Sequence, residues 1–304
     1  MEDIPSHGRR TLLKGMAAAS LVSAGVPRAE SALLTRHIPA TGEALPAIGL
    51  GTYQTLDISS PADIAEAKEV LRLFASLGGT LVDSSPMYGR AEAVVGVLAS
   101  DLGLVGRLFL ATKVWTSGRD EGIRQMEESF RRMRTTRMDL MQIHNLLDAG
   151  VHAQTLRAWK EAGRIRYWGV THYHRGAYAE VERFLKNERP DFLQINYSLA
   201  EPEAGERLLP LARDLGMAVV INRPFAQGAL FRQVKGRELP DWAAEFDATS
   251  WAQFFLKWIL ADAAVTCVIP ATRNPKYLRD NMAAASGRLP DAAARAKMAI
   301  LLRG

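Results

Sequence analysis

The chain has 304 residues, 48% hydrophobic and 23% charged, enough to bury one large core and without the composition of a disordered or fibrous protein. Its formal charge of +5, from 38 Lys and Arg against 33 Asp and Glu, is spread along the chain, which argues against nucleic acid as a partner. The single cysteine, Cys267, sits in the apolar run AAVTCVIP, so an intramolecular disulfide and thiolate metal sites are excluded and core packing is expected of it.

The first element is RRTLLKG at residues 9–15, followed by the weakly apolar GMAAASLVSAGV and small residues around RAESA. Arg9 and Arg10 ahead of such a stretch resemble a twin-arginine export signal, which implies the export machinery as a partner and a periplasmic destination. The stretch falls short of the about 20 residues needed to cross a bilayer, so no stable membrane span is expected in the mature protein. Residues 1–31 are read as this signal segment, with cleavage near residues 29–32, and residues 32–304 as the folded unit; a basic amphipathic helix is the alternative for the N-terminus.

From Leu33 onward, short runs rich in β-branched residues alternate with polar loops and helical spacing, the mark of parallel βαβ units. RHIPATGEALPAIGL reads as a small hairpin closing one end of a barrel. Eight strands follow: AIGLGTY (47–53), TLVDSS (80–85), RLFLATKV (107–114), MDLMQIH (138–144), RYWGVTH (166–172), DFLQINYS (191–198), MAVVINRP (217–224) and AVTCVIP (264–270). Between the first two, Ser60 suits an N-cap, Pro61 the first helical position and Asp63 the third. Ile64, Ala67, Leu71, Phe74 and Leu77 share one face before Gly78 and Gly79 stop the helix. Residues 224–250 lack periodicity and are long for a connection, so a substrate-pocket loop is expected there.

A doubly wound sheet would alternate in the same way. It should, however, place G-x-G-x-x-G after its first strand, whereas the glycines of IGLGTYQ lie inside the strand run with no third glycine opening a helix. The expected fold is therefore α/β, a single (β/α)8 TIM barrel of about 250 residues with an N-terminal hairpin and extra C-terminal helices.

Active sites of that fold lie at the C-terminal ends of the strands, where Asp83, Lys113 and His144 stand, with Tyr88 in the loop after Asp83. A tyrosine hydroxyl, with a reference pKa near 10, is a poor acid at neutral pH, and a neighbouring ammonium lowers that value. Lowering it by about three units takes roughly 4 kcal/mol, which a buried lysine kept charged by an aspartate can supply. These four residues offer an acid, its tuner, the tuner's counter-ion and an imidazole to orient a carbonyl. Taken singly, each also reads as structural: an ion pair, a core aromatic, a hydrogen-bonded strand end.

LVDSSPMYGRAE (81–92) resembles the aldo/keto reductase signature, ATKVW (111–115) that family's lysine strand and QIHN (142–145) its histidine strand. GLGTY, GVTH, QINYS and IPATRNPKYLRDN (269–281) extend the likeness over nearly the whole chain after the signal. The resemblance implies an NADP(H)-dependent reductase of small carbonyl substrates, with Tyr88 the general acid, Lys113 its tuner, Asp83 the partner of Lys113 and His144 the substrate-orienting residue. It also implies cofactor contacts at Thr52 and Tyr53; at Thr171, His172 and Gln194 for the nicotinamide carboxamide; and at Thr272, Arg273 and Asn281 for the phosphate and adenine. Arg273 then offers a bidentate cation for a 2′-phosphate, favouring NADPH over NADH.

The chain departs from the family at the seventh strand, where Asn222 and Arg223 replace a stacking aromatic and a serine. Arg223 is expected to stack on a ring or grip the pyrophosphate, or else to turn away and pair with Asp241 or Glu245. Two other functions compete with this reading. A catalytically silent nicotinamide-binding barrel acting as a regulatory subunit is opposed by the four intact residues, and a metal-dependent hydrolase by the shortage of histidines and paired carboxylates, so no metal is expected.

Overall fold

The computed structural model describes Met1 and residues 33–302. The expected export signal therefore lies outside the described residues.

Two short antiparallel strands, β1 (Thr35–His37) and β2 (Ala44–Pro46), form the expected hairpin. Eight parallel strands follow: β3 (Leu50–Gly51), β4 (Leu81–Asp83), β5 (Phe109–Val114), β6 (Met138–His144), β7 (Ile165–Thr171), β8 (Phe192–Asn196), β9 (Ala218–Asn222) and β10 (Cys267–Val268). Each pairs with the next in chain order. Parallel bridges Ile48↔Val268 and Gly51↔Ala271 join the first strand to the last and close the barrel. Gly51 permits that closure, because a Cβ there would lie 2.8 Å from the Ile269 carbonyl oxygen. Of the glycines read as strand residues, Gly51 lies in β3, while Gly49 falls just before it, next to the Ile48 bridge.

Helices α1 (Pro61–Ser76), α2 (Ala91–Asp101), α3 (Arg119–Arg132), α4 (Ala149–Glu161), α5 (Tyr178–Glu188) and α6 (Ala204–Asp214) return the chain between successive strands. The first begins as its sequence dictates: Ser60 Oγ accepts the Asp63 N–H at 3.1 Å, and Gly78 ends it at a positive φ of 86°. The stretch 224–250 is less open than expected. It holds α7 (Ala229–Gln233) and two 3₁₀ turns, and its aromatics bind it to α8 (Trp251–Leu260), with Trp242 5.6 Å and Phe246 5.8 Å from Phe254 between ring centroids. The C-terminal helices α9 (Pro275–Ala283) and α10 (Ala292–Leu301) follow β10.

Inside the barrel, Ile38 and Leu45 of the hairpin pack with Leu81, Phe109, Leu140, Tyr167, Phe192 and Cys267 into an apolar cluster. The hairpin is locked by polar contacts: Tyr167 donates to Glu43 at 2.7 Å and lies 2.7 Å from the Thr41 hydroxyl, while Arg166 pairs with Glu43 and, at 2.9 Å, with Asp139. The polar tier sits at the opposite end, where the strands finish. Among the described residues, no helix is long and apolar enough to cross a membrane.

Candidate active site

Three strand ends and one turn build the site. Asp83 closes β4, Lys113 is the penultimate residue of β5, His144 closes β6, and Tyr88 lies in the turn joining β4 to α2. The register pairs Asp83 with Ala111 and Lys113 with Gln142, so the polar side chains fall on neighbouring strands at one level.

Lys113 is fully buried and donates to Asp83 Oδ2 at 2.7 Å and to the Ser84 carbonyl at 2.6 Å. The other Asp83 oxygen accepts the side-chain amides of Gln142 at 3.1 Å and Gln194 at 2.8 Å. Burial alone would discharge Lys113, but the carboxylate and the tyrosine beside it hold its pKa above the ordinary value, so it carries a charge at neutral pH. Lys113 Nζ lies 4.9 Å from the centroid of the Tyr88 ring.

Tyr88 corrects one expectation. Its pKa lies above the ordinary value of tyrosine, not below it, because burial outweighs the pull of Lys113 and the Asp83 charge offsets part of that pull. The hydroxyl therefore stays protonated at neutral pH.

His144 lies 6.1 Å from Tyr88 between ring centroids, edge-on. Burial first, then the charges of Lys113 and His172, push it down to about 3, so the imidazole is neutral. Its Nδ1 is 3.3 Å from Ser85 Oγ, which already accepts the Met87 N–H at 3.4 Å. When that hydroxyl donates its proton to Nδ1, the ring proton sits on Nε2. Tyr53 and Trp115, both partly exposed, flank the opening at 5.0 Å from Tyr88 and 6.2 Å from His144.

Several expected cofactor contacts are engaged within the protein. Thr52 is buried and donates to the Asp83 carbonyl at 3.0 Å. Thr171 donates to Gln194 at 2.8 Å, and since Gln194 also holds Asp83, both brace the buried pair. His172 accepts the Tyr173 and His174 N–H groups through Nδ1 at 3.0 and 3.1 Å, and its carbonyl accepts Asn222 Nδ2 at 3.0 Å. Asn222 Oδ1 and Arg223 Nε, adjacent in sequence at the end of β9, are buried without a partner. Arg223 has a positive φ of 50°, donates to the Tyr173 carbonyl at 3.1 Å and pairs with Glu201 at 3.7 Å. The carboxylate is thus Glu201 and not Asp241 or Glu245, because the β8 connection borders β9 whereas residues 241–246 fold against α8.

A second group lies after β10. The Thr272 hydroxyl accepts the Asn274 N–H at 3.1 Å, Asn281 is buried in α9, and Arg273 is held by Asp63 and Glu66 of α1. Sequence reasoning missed Ser85 and Gln142. The signal for Gln142 was present: in MDLMQIH it stands two residues before His144, hence on the same face of β6. Among the described residues no cluster of His, Cys, Asp and Glu could hold a metal ion.

The aldo/keto reductase family model matches residues 47–300, more than half of the chain. The chain belongs to the aldo/keto reductase family. It is 30% identical over 247 residues to methylglyoxal reductase YeaE of Escherichia coli, covering 79% of this chain and 85% of that protein. It is 26% identical over 228 residues to human aflatoxin B1 aldehyde reductase member 4, covering 70% and 68% of the two chains. An aldo/keto reductase from Klebsiella pneumoniae, solved in complex with NADP and acetate, superposes with a TM-score of 0.74 at 26% identity, covering 86% of this chain and 93% of that one. The aldo/keto reductase barrel described here thus carries the Asp83, Tyr88, Lys113 and His144 set at its strand ends.

Proposed function

We propose that this aldo/keto reductase uses NADPH to reduce a small aldehyde or ketone to the alcohol. The observation that carries the reading is a protonated tyrosine beside a buried ammonium and a neutral imidazole: one proton donor, one charge stabiliser and one hydrogen-bond donor at the same strand ends. The residues fit the cofactor. A primary carboxamide offers one donor group and one acceptor, matching the unpartnered Asn222 Oδ1 and Arg223 Nε. Arg273, two residues ahead of α9, is the cation proposed for the 2′-phosphate.

When bound, the nicotinamide supplies a hydride to the carbonyl carbon. The protein does the rest. His144 Nε2–H orients the carbonyl oxygen, and Tyr88 gives that oxygen its proton. Lys113 stabilises the charge left on the tyrosine oxygen, in a site where burial strengthens the attraction. Asp83, fixed by Gln142 and Gln194, keeps Lys113 charged and in place. The relative in Escherichia coli is a methylglyoxal reductase, which makes methylglyoxal the first substrate to test. The test is NADPH oxidation by purified protein across a carbonyl panel; cofactor binding without turnover of any carbonyl would favour the silent, regulatory reading.

We infer also that the chain is exported to the periplasm through the twin-arginine pathway. Arg9 and Arg10 followed by a weakly apolar stretch support it, and that route carries folded proteins, as a cofactor-loaded barrel requires.

A further inference from the structure

Arg273 does not stand free. Its Nη2 lies 2.9 Å from Asp63 Oδ1 and its Nε 3.0 Å from Glu66 Oε2. The two acids are three residues apart on α1, hence neighbours on one face. Asp63 is fixed further, since its other oxygen accepts the Ser60 hydroxyl at 2.8 Å. The three side chains are 33%, 38% and 41% exposed, so water and incoming solutes reach the cluster.

Between them the carboxylates occupy the Nε and Nη2 donors, one edge through which a guanidinium grips a phosphate bidentately; a phosphate taking that edge must displace them, and one approaching Nη1 still meets two negative charges close by. A ribose 2′-hydroxyl meets the opposite situation, for it is a donor and the two acids are acceptors; an acidic residue on that hydroxyl is how dinucleotide folds commonly hold NAD. Resting on the cofactor reading above, we propose that Asp63 and Glu66 are specificity-determining residues: they compete with the 2′-phosphate for Arg273 and so limit the preference for NADPH over NADH. Because partly exposed ion pairs are weak, the carboxylates moderate this preference without abolishing it.

The test is the ratio of the dissociation constants of NADH and NADPH, measured by fluorescence titration for the wild type and for Asp63→Asn/Glu66→Gln. Both replacements keep size and one acceptor oxygen while removing the charge, and Asn is accommodated at the start of α1. The ratio is expected to rise about tenfold, equivalent to about 1.4 kcal/mol, mainly through tighter NADPH. Glu66→Gln alone, which leaves the Ser60 and Asp63 contacts intact, is expected to move it in the same direction by less. As a probe of the subsite by itself, 2′-AMP should gain affinity in the double variant while 5′-AMP should not. A ratio that changes by less than about twofold, where one tenfold step is about 1.4 kcal/mol, overturns the inference and leaves the cofactor reading standing. Failure of the wild type and both variants to bind either dinucleotide overturns the cofactor reading, and the inference with it.

Discussion

The Lys113 ammonium lies 2.7 Å from the Asp83 carboxylate, with both side chains almost wholly removed from solvent. A pair buried this deeply cannot lose one member cheaply, because the survivor keeps its charge without its partner; such removals cost about 3–5 kcal/mol. Lys113→Met is expected to lower stability by that order and to abolish reduction. Asp83→Asn in the Lys113→Met background should restore part of the stability but none of the activity. A double-mutant cycle by chemical denaturation checks this, and a coupling below about 1 kcal/mol would show that the pair is not what holds this tier.

Tyr88→Phe removes the proton donor and keeps the ring that lies 5.0 Å from Tyr53. Carbonyl reduction should fall by far more than tenfold, with the affinity for NADPH nearly unchanged. A variant retaining more than about a tenth of the turnover, a loss of less than about 1.4 kcal/mol, would assign the acid elsewhere.

Burial lowers His144 from the ordinary 6.5 to about 3. The unfolded chain therefore binds a proton at this position between those values and the folded chain does not. Stability from His144 is fully present above about 6.5 and is lost as the pH falls towards 3. His144→Asn should remove this dependence, so that its stability falls less than the wild type's between pH 7 and pH 4, as read from denaturation midpoints. With Tyr88 raised and His144 neutral, kcat/KM for reduction should be flat across the neutral range. An inflection near 6.5 that disappears in His144→Asn would contradict a neutral imidazole.

Gly89 follows Tyr88 with a φ of 60°, and a Cβ there would lie 2.3 Å from the Asp57 carboxyl carbon. Asp57 in turn accepts the Arg90 N–H at 3.0 Å, which fixes the turn carrying the tyrosine. Gly89→Ala is expected to cost about 1–2 kcal/mol from the left-handed backbone alone and to reduce kcat more than it weakens NADPH. Asp57→Ser/Gly89→Ala, with room for the methyl group, should recover part of the rate; no recovery would mean that the clash is not what disturbs Tyr88.

Replacing Arg9 and Arg10 together by Lys keeps the charge and removes the paired guanidinium side chains. Precursor should accumulate in the cytoplasm, because a twin-arginine signal is an address read by a receptor rather than a generic positive charge. Fractionation of an expressing bacterium checks it, and undiminished export of the Lys-Lys form would rule the address out.

The strand pattern was legible because buried parallel strands are written as apolar, β-branched runs, and each of the eight overlaps an observed strand. The candidate site residues were legible because a charge ending such a run needs a reason. Other features depended on three-dimensional pairing. Thr52 and Gln194 looked like ligand contacts, yet their partners are Asp83 and Thr171, far away in the chain. Arg273 looked free because Asp63 and Glu66 precede it by most of the barrel. The direction of the Tyr88 shift was misjudged because a sequence shows which charge is near but not how deeply the pair is buried.

Ile38 and Leu45 lay an apolar floor at the hairpin end of the barrel. Lys113 has no exposed surface, while Tyr53, Tyr88 and Trp115 beside it are partly exposed. If Tyr88 is the acid, the proton it gives up is replaced on the side where its ring meets solvent, which is also the side from which a carbonyl reaches it. Recharging the acid then waits for the product to leave, which ties the readiness of the site for a second turnover to the departure of the first alcohol.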